Sequence, residues 1–310
     1  MIFDTHAHYE DAAFDSDREE LLRRLPAAGI GAVMDVASSA ETSRSAVRLA
    51  ETVPYMAASV GAHPDSVGEL SEQDMQEFAA IARSHPKVRA VGEIGLDYHW
   101  GRENADLQRR WFRRQLRLAR ELGLPVIIHS RDASQETFDI LREEKAEENG
   151  GVIHCYSGSA ELAAEYVRRG FCLGIGGVVT FKNAKTIKEV VRRIPLTSLV
   201  LETDCPYMAP VPHRGERNSS LNLPLVIQAI ADLTGKDPGE IEETTWNNAR
   251  RLYRIHGSAA ARQAYAAGVG PGSRPDFPGE LPGSEGKGDY DGFIPCREHH
   301  RGAEKISLPV

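Results

Sequence analysis

Phe3-Asp4-Thr5-His6-Ala7-His8, almost at the N-terminus of this 310-residue chain, is the stretch that first indicates both fold and function. Its apolar beginning predicts a short buried strand. Because side chains alternate between the two faces of a strand, Asp4, His6 and His8 are expected on one face. Two imidazoles fixed on one strand face suit a divalent metal ion, since they lose little further freedom on binding. A lone His-x-His is also common as a structural pair. Whether this pair binds a metal therefore depends on which other side chains the chain brings to it.

Seven further apolar segments of strand length follow, separated by segments with the amphipathic spacing of helices. The predicted strands are 30–36, 55–61, 88–94, 124–129, 151–155, 171–178 and 199–203. Eight short strands that alternate with helices within about 250 residues are typical of an α/β protein with the (β/α)8 TIM-barrel fold. The main alternative is an open doubly wound sheet, which would carry a glycine-rich phosphate turn after an early strand. The sequence has none there.

The composition limits the kinds of partner that this protein is expected to bind and the compartment in which it is expected to lie. A formal net charge of −8 argues against a protein that holds nucleic acid through a broad basic face, so such a substrate would need local cations. The four cysteines lack a C-x-x-C spacing, which supports neither a disulfide framework nor a zinc knuckle. The sequence shows no signal-peptide pattern and no apolar run of transmembrane length. We therefore expect a cytoplasmic protein that needs neither a membrane nor an obligate protein partner.

The composition changes close to residue 258. Beyond this point glycine and proline become frequent, as in Gly270-Pro271-Gly272, and the apolar periodicity fades. A segment with little periodic apolar content cannot bury enough surface to offset the entropy of ordering it. We predict a barrel domain at 1–257 and an irregular, disordered C-terminal tail at 258–310.

Metal-binding side chains stand at the C-terminal ends of the predicted strands. They are His6 and His8 on strand one, His63 on strand three, Glu93 on strand four, His129 on strand five, His154 on strand six and Asp204 on strand eight. Barrel enzymes carry their chemistry at this end of the strands. Several imidazoles and two carboxylates converging on one rim predict a metal centre.

The number of candidate ligands indicates two ions. Six residues exceed the needs of one tetrahedral ion, and a carboxylate can bridge two ions through its two oxygens. The six are His6, His8, Glu93, His129, His154 and Asp204. Glu93 is the predicted bridge, because Gly92 and Gly95 beside it permit a close approach of backbone or ligand. Two ions about 3.5–4 Å apart suit the hydrolysis of a phosphodiester by an activated water.

Five segments, in this order and spacing, strongly resemble the motifs of the TatD family of metal-dependent deoxyribonucleases. They are Asp4-Thr5-His6-Ala7-His8, Gly92-Glu93-Ile94-Gly95-Leu96-Asp97-Tyr98, Val126-Ile127-Ile128-His129-Ser130-Arg131, His154-Cys155-Tyr156-Ser157-Gly158 and Glu202-Thr203-Asp204-Cys205-Pro206-Tyr207. The likeness covers residues 1–255 and includes the segment 209–215 that follows the last ligand. It does not extend into the tail.

The resemblance implies a TIM-barrel hydrolase with exonuclease-like action on DNA. It implies dependence on Mg²⁺, Mn²⁺ or Zn²⁺. It further implies two ligand sets that share Glu93. One set is His6, His8, Glu93 and Asp204, and the other is Glu93, His129 and His154.

Five residues beside the ligands have two interpretations each. Arg131 is expected to face the rim, because it shares the orientation of His129 along the strand. At the rim its guanidinium can bind a phosphate oxygen or form a structural ion pair. His63 can bind a phosphate or support a ligand. Glu202 is expected to orient a ligand, with a buried ion pair as the alternative. His213 and Arg214 lie in a basic loop that contacts backbone phosphates or is simply solvated.

Three aromatic side chains, Tyr98, His99 and Trp100, follow strand four. They can offer a stacking surface for a nucleobase. The alternative is that they pack the loop in which they lie.

The function predicted from these residues is phosphodiester hydrolysis, with Asp204 as general base for the attacking water. One alternative is a deacylase or amidohydrolase acting on an acylated small molecule or an aminoacyl-tRNA. Related barrels of that kind often use a carbamylated lysine as the bridge, whereas Glu93 holds that position here. A second alternative is a metal-binding scaffold without catalysis, which binds a partner through the tail.

Overall fold

The computed structural model describes residues 1–255. The predicted boundary at 257 and the predicted tail at 258–310 lie outside the described residues, and both stay predictions. Among the described residues, no helix combines the length and the apolar character that crossing a membrane requires.

Eight parallel strands form one sheet in sequence order. They are β1 (Ile2–Ala7), β2 (Ile30–Asp35), β3 (Met56–Val60), β4 (Val88–Asp97), β5 (Val126–Arg131), β6 (Gly151–Ile153), β7 (Cys172–Ile175) and β8 (Leu199–Leu201). A parallel bridge between Ala7 and Cys205 joins the end of β1 to the segment that follows β8. The sheet is therefore closed, and the predicted (β/α)8 barrel is confirmed.

The helices of the described chain surround this barrel. They are α1 (Arg18–Arg24), α2 (Ala40–Thr52), α3 (Glu72–Ser84), α4 (Ala105–Leu122), α5 (Ser134–Glu143), α6 (Ala160–Arg168), α7 (Lys185–Arg193), α8 (Leu223–Thr234) and α9 (Pro238–Leu252). Local sequence sets several of their ends. Ser39 and Ser71 form capping boxes with Thr42 and Asp74, and Gly123 ends α4 in the left-handed region at φ 65°.

The apolar core has two parts. A small cluster fills the barrel interior and includes Phe3, Ile127 and Val200, while a larger one lies between the strands and the helices. Phe3 packs against Trp246 and Tyr253, with ring centroids 6.0 and 5.7 Å apart. Helix α9 thus closes the N-terminal end of the barrel, which leaves the opposite rim for the functional groups.

An irregularity in β1 decides which way its histidines point. Asp4 pairs with Val33 and Ala7 with Asp35, so β1 advances three residues where β2 advances two. The extra residue is a β-bulge, which reverses the alternation of side chains beyond it. His6 and His8 turn towards the barrel mouth as a result.

Asp4 does not share their face, and the prediction that all three residues point the same way is wrong for Asp4. Phe3 belongs to the interior cluster, so Asp4 next to it faces outward. Its buried carboxylate accepts hydrogen bonds from Thr203 Oγ1 at 2.7 Å and Ser220 Oγ at 2.6 Å. These contacts tie β1 to the chain segment that follows β8.

Strand β4 also contains a bulge where it pairs with β5. Val91 pairs with Val126 and Ile94 with Ile128, so two residues of β4 stand opposite one residue of β5. Glu93 is one of the two. A bulge next to a functional site re-aims a side chain, and here it brings the carboxylate of Glu93 to the mouth of the barrel.

Candidate metal centre

The side chains of His6, His8, Glu93 and Asp204 meet at the C-terminal rim. His6 Nε2 lies 3.2 Å from His8 Nε2 and 3.5 Å from Glu93 Oε2. Asp204 Oδ1 lies 3.3 Å from His8 Nε2 and 3.7 Å from His6 Nε2. Ligand atoms about 2.1 Å from a common ion stand roughly 3.0–3.4 Å from one another. The spacing of these four donors is close to that of a metal site.

A second group of donors faces the other oxygen of Glu93. His129 Nδ1 lies 2.8 Å from Glu93 Oε1, and His154 Nε2 lies 3.7 Å from the same oxygen. His6 and His154 stack with ring centroids 3.5 Å apart, which keeps the two groups adjacent. Glu93 therefore offers one oxygen to each group, as a bridging carboxylate would.

Glycines make room for this arrangement. A Cβ on Gly95 would lie 1.9 Å from the carbonyl oxygen of His129, and a Cβ on Gly92 would lie 2.6 Å from Ile127 Cβ. Gly95 also has φ 153°, which side-chain-bearing residues rarely adopt. Both glycines thus permit the close approach that was expected of them. The group that approaches is the neighbouring strand β5.

Both carboxylates of the cluster are stabilised as anions. Burial alone would raise the pKa of Glu93, but the imidazoles of His6 and His154 hold it well below its usual range. Burial likewise opposes ionisation of Asp204, yet His154 and His8 lower the pKa of Asp204 to about 2. Two buried anions so close together provide the negative charge that a divalent cation requires.

The pKa values of two imidazoles, those of His129 and His154, are raised. Burial alone would lower the pKa of His129, but the carboxylates of Asp97 and Glu93 raise it to about 10. For His154, burial is likewise outweighed, and Glu202 with Glu93 raises its pKa to about 9. His129 and His154 therefore favour the charged form, whereas burial and the neighbouring His154 lower the pKa of His6.

Asp97 is a residue of the site that sequence reasoning missed. Its Oδ2 accepts a hydrogen bond from His129 Nε2 at 3.0 Å, and its Oδ1 accepts one from the backbone N–H of His99 at 2.9 Å. A donor hydrogen on Nε2 leaves Nδ1 of His129 to face Glu93. Asp97 could have been found from the sequence, because it lies in the motif 92–98. It was missed because the predicted strand ended at Ile94, whereas β4 continues to Asp97.

Glu202 plays a corresponding part for His154. His154 Nδ1 lies 3.2 Å from Glu202 Oε1, which also accepts a hydrogen bond from the backbone N–H of Cys155 at 2.6 Å. The other carboxylate oxygen fills space that only a glycine leaves, since a Cβ on Gly174 would lie 2.0 Å from it. Glu202 thus lies against the Nδ1 side of His154, and its role in orienting this ligand stays a prediction.

His63 and Arg131 lie beside the cluster. The His63 ring contacts the His129 ring edge-on, with centroids 4.3 Å apart, and the His63 Nδ1 accepts a hydrogen bond from the backbone N–H of Asp65. Arg131 ends β5, two residues beyond His129 and in register with Asp97. Since Ser130 between them bonds to Thr137 of α5, Arg131 shares the side of His129, as expected.

His213 and Arg214 are not brought to the ligands. They lie in the loop after β8, where His213 Nδ1 is 2.9 Å from Glu216 Oε2 and the Arg214 guanidinium lies 4.6 Å from the Phe181 ring. Neither contact involves a proposed ligand, and the side chains of His213 and Glu216 are exposed.

A closed barrel with a buried cluster of imidazoles and carboxylates at this rim is the architecture of a metal-dependent hydrolase. Comparison with known proteins gives the family. The model of the family described as TatD related DNase matches residues 3–254, and the chain belongs to the TatD family. Both the resemblance and the metal-dependent hydrolase class predicted from the sequence are confirmed.

Individual relatives match the barrel over their whole length. The uncharacterized metal-dependent hydrolase YabD of Bacillus subtilis is 43% identical over 256 residues, which is 83% of this chain and 100% of YabD. The 3'-5' ssDNA/RNA exonuclease TatD of Cronobacter sakazakii is 33% identical over 265 residues, which is 84% of this chain and 100% of that protein. The crystal structure of YjjV, a TatD homologue from Escherichia coli, superposes with a TM-score of 0.78 at 32% identity, covering 82% of this chain and 98% of YjjV.

Proposed function

We propose that this chain removes nucleotides from single-stranded DNA by hydrolysing phosphodiester bonds, with two divalent ions (Mg²⁺, Mn²⁺ or Zn²⁺) as cofactors. The observation that carries the proposal is the carboxylate of Glu93, whose Oε2 faces His6 and whose Oε1 faces His129 and His154. One ion would be held by His6, His8, Glu93 and Asp204. The other would be held by Glu93, His129 and His154. The name of the Cronobacter relative supports a single-stranded nucleic acid as substrate.

Each residue has a part in the proposed reaction. When bound, two divalent ions make water acidic enough to attack near neutral pH and offset the charge that develops on phosphoryl oxygens. Asp204 takes the proton of the attacking water, because it is anionic and its Oδ1 lies among the imidazoles of His6, His8 and His154. Arg131 binds a phosphoryl oxygen of the substrate through its guanidinium, and His63 donates a hydrogen bond to the same phosphate. His213 and Arg214 would contact phosphates further along the strand.

The choice of phosphodiesters over C–N or acyl bonds depends on the bridge. Among the residues that the structure describes, the buried polar side chains include no lysine. A carbamylated lysine, the bridge often used for amide substrates, is therefore not available to this cluster. Glu93 takes its place.

The test is to replace Glu93 and measure cleavage. Glu93→Gln should lower hydrolysis of end-labelled single-stranded DNA to the background rate under Mg²⁺, Mn²⁺ and Zn²⁺, while circular dichroism reports a folded protein. The control is Glu161→Gln, because Glu161 is exposed on α6 and pairs with Arg193. That variant should cleave at the wild-type rate.

Acylated substrates complete the assay. Cleavage of aminoacyl-tRNA or of acylated amino acids by the wild type, with DNA left intact, would show that the chain is a deacylase. No hydrolysis of either substrate class by protein with verified metal content would indicate a scaffold. Full DNA cleavage by Glu93→Gln would contradict the bridging role.

A further inference from the structure

Trp100 is unusual among the large apolar side chains of the described residues because it is 63% exposed. Exposing an indole forgoes the free energy that burying it would provide. Its neighbour Tyr98 is buried beneath the loop, with the Arg102 guanidinium 4.3 Å from its ring. Tyr98 therefore packs the loop, whereas Trp100 faces solvent.

The turn that carries Trp100 is held by hydrogen bonds on both sides. The N–H of Gly101 donates to the carbonyl of Tyr98 at 3.2 Å, and the N–H of Tyr98 donates to the carbonyl of Arg131 at 3.0 Å. The N–H of His99 donates to Asp97, and the His99 ring lies 3.0 Å from an Asp132 carboxylate oxygen. The indole is therefore presented at the end of an ordered turn, so that little freedom is lost when a flat ligand stacks on it.

This turn stands next to the metal centre. Its first anchor, Asp97, accepts the hydrogen bond from His129. The guanidinium of Arg131 lies 6.0 Å from the centre of the Trp100 ring. A guanidinium that suits a phosphate thus lies over the ring of an exposed indole that suits a base, so that the two side chains can contact neighbouring parts of one nucleotide.

We propose that Trp100 is the stacking surface for an unpaired nucleobase adjacent to the phosphate at the metal centre. This inference rests on the proposed function and adds to it the residue that holds a base of the single strand, with little preference for the identity of that base. Every base has a π face to stack, which gives tolerance of sequence. A duplex covers that face by its own stacking, which gives the preference for single strands.

Binding to a phosphorothioate oligonucleotide, which resists cleavage, tests the proposal on the metal-loaded protein. By fluorescence anisotropy of the labelled strand, Trp100→Ala should bind about tenfold more weakly than the wild type, since stacking of one base contributes about that factor or more. Trp100→Tyr keeps an aromatic face and should bind nearly as tightly as the wild type. An abasic strand with the same number of phosphates should bind the wild type and Trp100→Ala equally.

Intrinsic fluorescence provides a second measurement. The oligonucleotide should quench the emission of the wild type, and the quenching should be lost in Trp100→Tyr. The matched control is Trp246→Phe, because Trp246 packs against Phe3 at the opposite end of the barrel. This variant should keep the quenching.

The outcomes separate this inference from the proposed function. Equal affinity of the wild type and Trp100→Ala for the base-bearing strand, or an equal loss of affinity for the abasic strand, would overturn the stacking role. If the wild type still cleaves DNA in that case, only the stacking inference fails. If the wild type neither binds the oligonucleotide nor cleaves DNA, both are wrong.

Discussion

At the scale of single residues, the contact between Asp97 and His129 determines how the second ligand group is presented. The carboxylate accepts from Nε2 of His129, so the other ring nitrogen faces Glu93. An aspartate in this position fixes both the tautomer and the orientation of the ring. Asp97 is thus a positioning residue for a proposed ligand.

Asp97→Asn should weaken metal binding about 10- to 100-fold, which is the usual effect of removing a hydrogen bond that orients a metal-binding histidine. The amide can donate to Nε2 and so favour the tautomer with its hydrogen on Nδ1, which opposes metal binding. Isothermal titration calorimetry with Mn²⁺ or Zn²⁺ measures the change.

The chain offers a matched control for this substitution. Asp132 lies 3.0 Å from Nδ1 of His99, in an exposed aspartate–histidine pair on the neighbouring loop. Asp132→Asn should leave metal affinity unchanged. Equal affinities of all three proteins would show that Asp97 does not position His129.

The sequence was sufficient to predict which candidate ligands lie at the site, but not which residues contact one another. All six predicted ligands lie at the rim, because the type of residue and its place at a strand end are both visible in the sequence. The role of Asp97 was not visible, since it depends on the register of β4 against β5, which places Gly95 opposite His129 and Asp97 opposite Arg131. Register is set by packing across the whole sheet and not by the local pattern.

At the scale of elements, bulges explain where the predicted alternation failed. A period of two holds only while a strand pairs one residue with one residue, and β1 and β4 each depart from that. The end of β8 is a similar case. The strand was predicted to reach residue 203 but ends at Leu201, and Asp204 beyond it has φ 57°, which points its carboxylate back to the cluster.

Gly95→Ala tests the close packing at the β4 bulge. A Cβ here would lie 1.9 Å from the carbonyl oxygen of His129, at a φ of 153° that alanine rarely adopts. We expect the free energy of unfolding to fall by about 3 kcal/mol, from backbone strain and the displacement of β5. Urea unfolding followed by circular dichroism gives the value.

Gly68→Ala is the comparison for this variant, because a Cβ on Gly68 meets no atom within 4 Å and the residue has no positive φ. Its stability should change by less than about 1 kcal/mol. If Gly95→Ala is as stable as Gly68→Ala, the close approach of β4 and β5 is not a constraint on the fold.

At the scale of the whole molecule, the proposed ligands come from five of the eight strands or the residues directly after them. Ions bound there connect β1, β4, β5, β6 and β8 across the mouth of the barrel, at the end opposite to α9. An ion that binds only the folded protein stabilises it by about 2.7 kcal/mol when its concentration is 100 times the Kd.

Chelation should therefore lower the melting temperature as well as abolish hydrolysis. For a protein of this size, 2.7 kcal/mol corresponds to a fall of about 5–10 °C, and restoring the metal should reverse it. Differential scanning calorimetry at several metal concentrations measures the shift. In Glu93→Gln the shift should be much smaller, and a wild-type melting temperature that does not respond to metal would contradict binding at this cluster.

The irregular pairing of β1 and β4 also determines what is needed to build such a metal centre in another protein. In a regular strand, a substitution changes which side chain occupies a position but never the side to which that position points. The directions of His6, His8 and Glu93 follow from local irregularities in strand pairing, between Asp4 and Ala7 in β1 and between Val91 and Ile94 in β4. Placing the same ligand residues in a barrel whose strands pair regularly would therefore not reproduce this centre. A designer who grafts it into another scaffold must copy the irregular pairing of both strands together with the ligands.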